Sequence, residues 1–154
     1  MKLEFRVPTK SDVDDILTWK YDGKYSFYDN DIQKEKMEWI ESFIDSDNNF
    51  SIYNDNNKLV GNCSFYYIEE FFCVGLQMRP ELTGKGFGVQ FAKAIIDFGR
   101  EKYKFNYIDL TVEKFNNRAI KVYEKLGFKV IEEFVNTIRG NDYDFLAMRL
   151  AFNE

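Results

Sequence analysis

The sequence predicts an α/β (α+β) domain: a mixed, mostly antiparallel sheet of six to seven strands with about four helices. Three observations carry this. Short runs of alternating apolar and polar residues recur along the chain between turn residues, as strands require. A glycine-rich stretch, Leu76 to Val89, joins one such run to a long helical pattern ending near Tyr103. A further strand, Tyr107 to Val112, follows at once, and a strand–helix–strand unit of this length favours a parallel crossover. At 154 residues the chain reads as one domain, 1–154, long enough for a sizeable core.

In chain order, Leu3 to Val7 alternates like a strand and Pro8 ends it. Thr9 or Ser11 can cap a short helix carrying Val13, Ile16, Leu17 and Lys20, with acids in its first turn as the helix dipole prefers. Tyr21 to Asn30 (Y-D-G-K-Y-S-F-Y-D-N) is aromatic and turn-rich; it fits a pocket lining or a surface loop pinned by its rings. A second helix is expected from Gln33 to Ile44, with Met37, Ile40, Phe43 and Ile44 at helical spacing and Trp39 flanking. Phe50–Tyr53 and Lys58–Tyr67, across N-D-N-N, read as antiparallel strands, and Phe71–Met78 follows a turn at Glu69 and Glu70. The long helix is expected from Lys85, with Gly88, Ala92, Ile95, Ile96, Gly99 and Tyr103 on one face. Asn116 or Asn117 caps a last helix whose buried stripe is Ala119, Val122, Tyr123 and Leu126, and Gly127 suits its left-handed end. Phe128–Asn136 and Asp142–Leu150 form the closing antiparallel pair.

The net charge is −5 and the basic residues form no run, which argues against nucleic acid as a partner and suits a cationic small molecule or peptide amine. No apolar run approaches a membrane span, and M-K-L-E-F-R-V lacks a signal peptide's apolar segment, so a cytoplasmic location without membrane attachment is the default expectation. Two cysteines, Cys63 and Cys73, read as reduced core residues. With no histidine in the chain, the commonest general base is missing, as are most transition-metal sites, and no metal is expected.

Leu76 to Val89, L-Q-M-R-P-E-L-T-G-K-G-F-G-V, reads as a strand end, a Pro-initiated turn, a glycine loop and a helix start. Glycine lets a ligand approach the backbone closely, and the first N–H groups of a helix sit at the positive end of its dipole. Together these suit a phosphate, although a flexible helix entry fits the same residues. A Walker loop is excluded because Arg79 and Gly86 occupy its glycine and Ser/Thr positions. A dinucleotide fingerprint is excluded by the G-x-G-x-G spacing at mid-chain.

Two motifs, in order and about 30 residues apart, then resemble one family. The glycine loop is similar to an R/Q-x-x-G-x-G/A signature, with Gly86 and Gly88 at its small positions, Pro80 at a frequent turn proline, and Thr83 where Arg or Gln is usual. The run Asn116-Asn117-Arg118-Ala119-Ile120 through Tyr123 to Gly127-Phe128 looks like N-x-R-A-x-x-x-Y-x-x-x-G-F. Both resemble the GNAT superfamily of acyl-CoA N-acyltransferases. The resemblance implies the GNAT fold, whose central parallel strand pair splays apart, and acetyl-CoA as cosubstrate. It implies that Leu76, Gln77 and Met78 pair with the pantetheine arm, that the amides of Gly84, Lys85, Gly86, Phe87, Gly88 and Val89 hold the pyrophosphate, and that Asn116 contacts the arm. A homodimer is common in such families.

Acyl transfer to an amine needs the amine to lose a proton, a donor for the oxyanion, and an acid for the departing thiolate. Tyr123 is the candidate general acid; its helix pattern alone better fits a core tyrosine, and the surrounding motif turns the reading to the acid. A backbone N–H near Gln77 or Met78 is the candidate oxyanion donor. For the base, Thr111 stands where some relatives carry glutamate, leaving Glu69 or Glu70, Glu113, or a carboxylate acting through water; Glu70 is taken as the candidate. The expected activity is N-acetyltransfer by direct attack in a ternary complex. The alternative is a non-catalytic acyl-CoA-binding sensor on the same fold.

Overall fold

The computed structural model describes residues 2–152, which gather into two compact units. The first comprises Met1–Ser64 and Leu76–Lys85, the second Phe65–Gly75 and Gly86–Glu154.

In the first unit, β1 (Glu4–Arg6) lies antiparallel to β2 (Asn49–Tyr53), and β2 antiparallel to β3 (Leu59–Ile68), with Phe5 opposite Ile52 and Phe50 opposite Cys63. Two helices, α1 (Lys10–Ile16) and α2 (Lys34–Glu41), bury Val13, Ile16, Ile40, Trp19, Phe43 and Leu59 in one cluster. Each fully buried side chain of this kind contributes roughly 1.5–3 kcal/mol, so the cluster outweighs the exposed ion pairs around it. The start of α1 is a complete capping box: the Asp12 amide donates to Thr9 Oγ1 at 3.2 Å and the Thr9 amide to Asp12 Oδ2 at 3.0 Å. The same carboxylate accepts from the hydroxyls of Ser51, at 2.8 Å, and Tyr53. Burial would raise the Asp12 pKa, but these donors outweigh it and hold the carboxyl below its ordinary range.

In the second unit, residues 71–75 of β4 (Phe71–Met78) join β5 (Tyr107–Glu113) in parallel through one registered pair, Cys73 opposite Asp109. β5 pairs antiparallel with β7 (Asn141–Ala151) along its whole length, and β7 with β6 (Lys129–Ile138). In hydrogen-bonded order the strands run β1-β2-β3-β4-β5-β7-β6. The helices are α3 (Gly88–Tyr103) and α4 (Asn117–Leu126). A Cβ at Gly99 would stand 2.3 Å from the Phe65 ring, so glycine is what lets α3 lie against that ring. A Cβ at Gly88 would stand 2.7 Å from Val122 Cγ2, so the first turn of α3 packs closely on α4.

Strand ends shift by a residue or two, and three helix boundaries differ by more. α1 stops at Ile16 rather than reaching Lys20, because the side chain of buried Asn30 donates to the Ile16 carbonyl at 2.8 Å and ends the helix there. α2 stops at Glu41, where the Ser42 hydroxyl turns back to the Trp39 carbonyl and Asp45 takes a left-handed φ of 57°. α3 begins at Gly88 rather than Lys85, because Gly84 and Gly86 adopt φ of 72° and 85°, which no helix allows. The α4 stripe faces inward but is half-buried rather than buried. Gly127 takes the left-handed position after α4, at φ 102°. Both cysteines are free and buried, and burial pushes both thiols above their ordinary range. Among the described residues, no helix is long and apolar enough to cross a membrane.

Two outcomes follow from this packing. The stability that Asp12 adds is fully present above the unfolded carboxyl value of 3.8 and is lost as pH falls through the lower native value. Asp12→Ala is therefore expected to lose about 2 kcal/mol or more at pH 7, with a gap to the parent that narrows on acidification, as read by urea unfolding. Gly88→Ala is expected to lose about 1–3 kcal/mol. Combined with Val122→Ala it should lose less than the two single changes summed, as a thermal unfolding cycle would show.

Candidate functional site

In the first unit, the end of β4 is held by side chains from several segments. Arg79 donates its amide to the Val60 carbonyl at 2.8 Å and its Nε to the Leu59 carbonyl at 2.6 Å; its guanidinium also pairs with Asp15 and lies 5.1 Å over the Trp19 ring. Gln77 and Asn30 exchange amide hydrogen bonds, 3.0 Å each way, and Asn62 donates to Gln77 Oε1 at 3.2 Å. The Tyr21 hydroxyl donates to the Met78 carbonyl at 2.5 Å. Burial pushes the Tyr21 phenol well above its ordinary value, against the lowering effect of Gln77. Leu76, Gln77 and Met78 are half-buried. The loop 21–30 is therefore pinned at both ends: Tyr21 and Asn30 point inward, and a 3-10 turn, Gly23–Tyr28, lies between them. Sequence reasoning marked this loop without assigning its contacts, and nothing in the sequence marks Asn62.

After β4, Pro80–Leu82 forms a short 3-10 turn, closed by the Thr83 hydroxyl donating to the Pro80 carbonyl at 2.7 Å. Thr83 thus shapes the turn. Gly84, Lys85 and Gly86 are exposed; Phe87, Gly88 and Val89 are half-buried. A Cβ at Gly86 would meet nothing within 4 Å, so glycine is needed there for its φ. Phe87 is the N-cap of α3 and makes no side-chain cap, and the first turn of α3 contains no acid. The other helices differ: α1 and α4 have side-chain caps, and α2 carries Glu35 in its first turn. The positive end of the α3 dipole is thus neither capped by a side chain nor countered by an acid in that turn.

In the second unit, Asn116 caps α4, its Oδ1 accepting from the Ala119 amide at 3.2 Å. Tyr123 packs its ring against Phe128, centroids 5.7 Å apart. Its phenol is pushed well above the ordinary value, first by burial and then by the charge of Glu113. Glu113 is buried at the carboxyl end of β5. Glu70 is on the exposed turn before β4, three residues before Cys73, whereas Glu113 lies four residues beyond its partner Asp109. At about 3.3 Å per residue, roughly 23 Å of strand separates the two levels. Glu70 therefore stands at the opposite end of the parallel pair from Glu113, whose charge acts on Tyr123. Among the described residues, no group of three or more His, Cys, Asp or Glu is placed to hold a metal ion.

Comparison with known proteins agrees with this architecture. The family model described as an acetyltransferase (GNAT) domain matches residues 2–129. The chain is 39% identical over 74 residues to spermidine N(1)-acetyltransferase of Escherichia coli strain K12, a stretch covering 48% of this chain and 40% of that protein. The match thus spans less than half of that relative's own length. Among solved structures, a GNAT-family acetyltransferase from Bacillus anthracis superposes with a TM-score of 0.78 at 19% identity, covering 98% of this chain and 95% of that one. A chimera of the spermidine N-acetyltransferase SpeG from Vibrio cholerae and hSSAT superposes with a TM-score of 0.76 at 21% identity, covering 98% and 96%. The fold is the GNAT fold, and the chain belongs to the GNAT acetyltransferase domain family.

Proposed function

We propose that this chain transfers the acetyl group of acetyl-CoA to a primary amine by direct attack, with a small cationic amine such as a polyamine as acceptor. The observation that carries the reading is the start of α3, a positive helix end without acid or side-chain cap, entered through glycines that leave the backbone bare. In this reading the amides of 84–89 hold the pyrophosphate, the backbone of Leu76–Met78 pairs with the pantetheine arm, and Asn116 adds a contact beside its capping role. The amine nitrogen attacks the thioester carbonyl and forms the new C–N bond. The carbonyl oxygen becomes an oxyanion, for which a β4 amide is the donor. The C–S bond then breaks, and the leaving thiolate takes a proton from the Tyr123 hydroxyl. The amine's proton passes to a carboxylate, and Glu113 replaces Glu70 as the candidate.

The acceptor class rests on the net charge of −5 and on the name of the Escherichia coli relative; a peptide amine remains in the test panel. We treat the chain as one catalytic domain because β3 and β4 each contribute residues to both compact units. Acetyl-CoA use and two reduced cysteines support a cytoplasmic location. Edge strand β6, which exposes Val130, Ile131 and Val135, supports a homodimer.

Thiol release from acetyl-CoA is expected with spermidine or another cationic amine in a panel. CoA binding without turnover on any amine would instead support a sensor. Tyr123→Phe is expected to lower kcat about 100-fold while the KM for acetyl-CoA changes by less than about threefold. Because the Tyr123 phenol titrates above its ordinary value of 10.0, its acid role should persist to pH 10. A loss of rate that follows an ionisation near pH 7 would have another source, and a pH–rate profile of parent and variant separates the two.

A further inference from the structure

We propose that Tyr21 and Asn30 are positioning residues for the acyl donor: together they hold Gln77 and Met78, at the end of β4, in the conformation that receives the pantetheine arm. The inference rests on the functional reading above and adds residues to it.

The argument begins with strand geometry. In an extended chain the N–H and C=O of one residue point to the same side, and the side alternates from residue to residue. The Arg79 amide donates to Val60 on β3. The Met78 carbonyl therefore points to the opposite edge of β4, the edge offered to a donor arm. That carbonyl is where the Tyr21 hydroxyl donates, at 2.5 Å.

Asn30 acts on the neighbouring residue. It is fully buried at 0% exposure, and its amide is used on both sides. Nδ2 donates to the Ile16 carbonyl at 2.8 Å and to Gln77 Oε1 at 3.0 Å, while Oδ1 accepts from Gln77 Nε2 at 3.0 Å. Turning either amide over would set oxygen against oxygen, so the network admits one orientation. The Asn30 backbone amide also donates to the Trp19 carbonyl, at 3.2 Å. A buried amide network satisfied in this way fixes geometry more sharply than apolar packing does. Stability alone would not require a tyrosine hydroxyl on the outer edge of β4, because the Tyr21 ring already packs against the helical cluster. The hydroxyl fixes the direction of a carbonyl beside the proposed reaction path, and small displacements there are costly to rate.

The test is steady-state kinetics of Tyr21→Phe, Asn30→Ala and the double variant, with CoA affinity by calorimetry and folding by thermal unfolding. Tyr21→Phe keeps the ring and is expected to fold. Its kcat should fall about tenfold or more, while CoA affinity stays within about threefold. The double variant should lose less in kcat than the product of the single losses, because both act on one strand end. If Asn30→Ala does not fold, Tyr21→Phe decides alone. A parent that turns over and a folded Tyr21→Phe with unchanged kcat would overturn the proposal and leave the functional reading intact. If the parent acetylates no amine, the functional reading falls. Amide exchange then decides whether the tether exists: faster exchange at 76–79 in Tyr21→Phe would support it, and unchanged exchange would overturn it.

Discussion

The first turn of α3 carries a positive helix end that no side chain caps and no acid in that turn counters. A helix normally quenches its own N-terminus with a hydroxyl, an amide oxygen or a carboxylate. α1 does so with Thr9 and Asp12, and α4 with Asn116. The N-cap of α3 is instead Phe87, whose side chain makes no cap hydrogen bond and carries no charge to cancel the dipole. The approach is made by Gly84 and Gly86 in backbone conformations closed to most residues. The third glycine, Gly88, serves the helix pair: the space it leaves is filled by Val122.

That division of labour shows what the sequence could disclose. Three alternating glycines announced a loop that leads into a helix, and Asn116 announced a cap, because both signals are local. The reason for Gly88 was not legible, since Val122 lies beyond the rest of α3, all of β5 and the first half of α4, and only packing brings them together. The same holds for Asn30, which touches Gln77 from 47 residues away and also ends α1. A short aromatic loop read by composition gives rings and turns; it does not say which carbonyl a phenol will reach. Glu70 stood out for its place at a strand entry; strand register, invisible in one dimension, puts it at the end of the parallel pair away from Glu113. Glu113 went unpreferred among four options for want of that register.

Two buried carboxylates of this chain each serve several partners. Asp12 serves a cap and two cross-connections at once, so one carboxylate fixes both the start of α1 and its seat on β2. Asp109 and Arg149 pair through two hydrogen bonds of 2.7 and 2.8 Å between neighbouring strands, and the guanidinium lies 4.2 Å from the Tyr107 ring. In each case the chain satisfies a buried charge with several partners, which is the condition under which burial is tolerated.

The two cysteines are distributed one to each compact unit, Cys63 in the first and Cys73 in the second, and both residues are buried. Burial slows the attack of an electrophilic dye on either sulfur, so modification gains from local opening of the backbone. With one cysteine replaced at a time, the rate of labelling becomes a clock for the breathing of a single unit, and the chain carries that pair of reporters without any engineered probe.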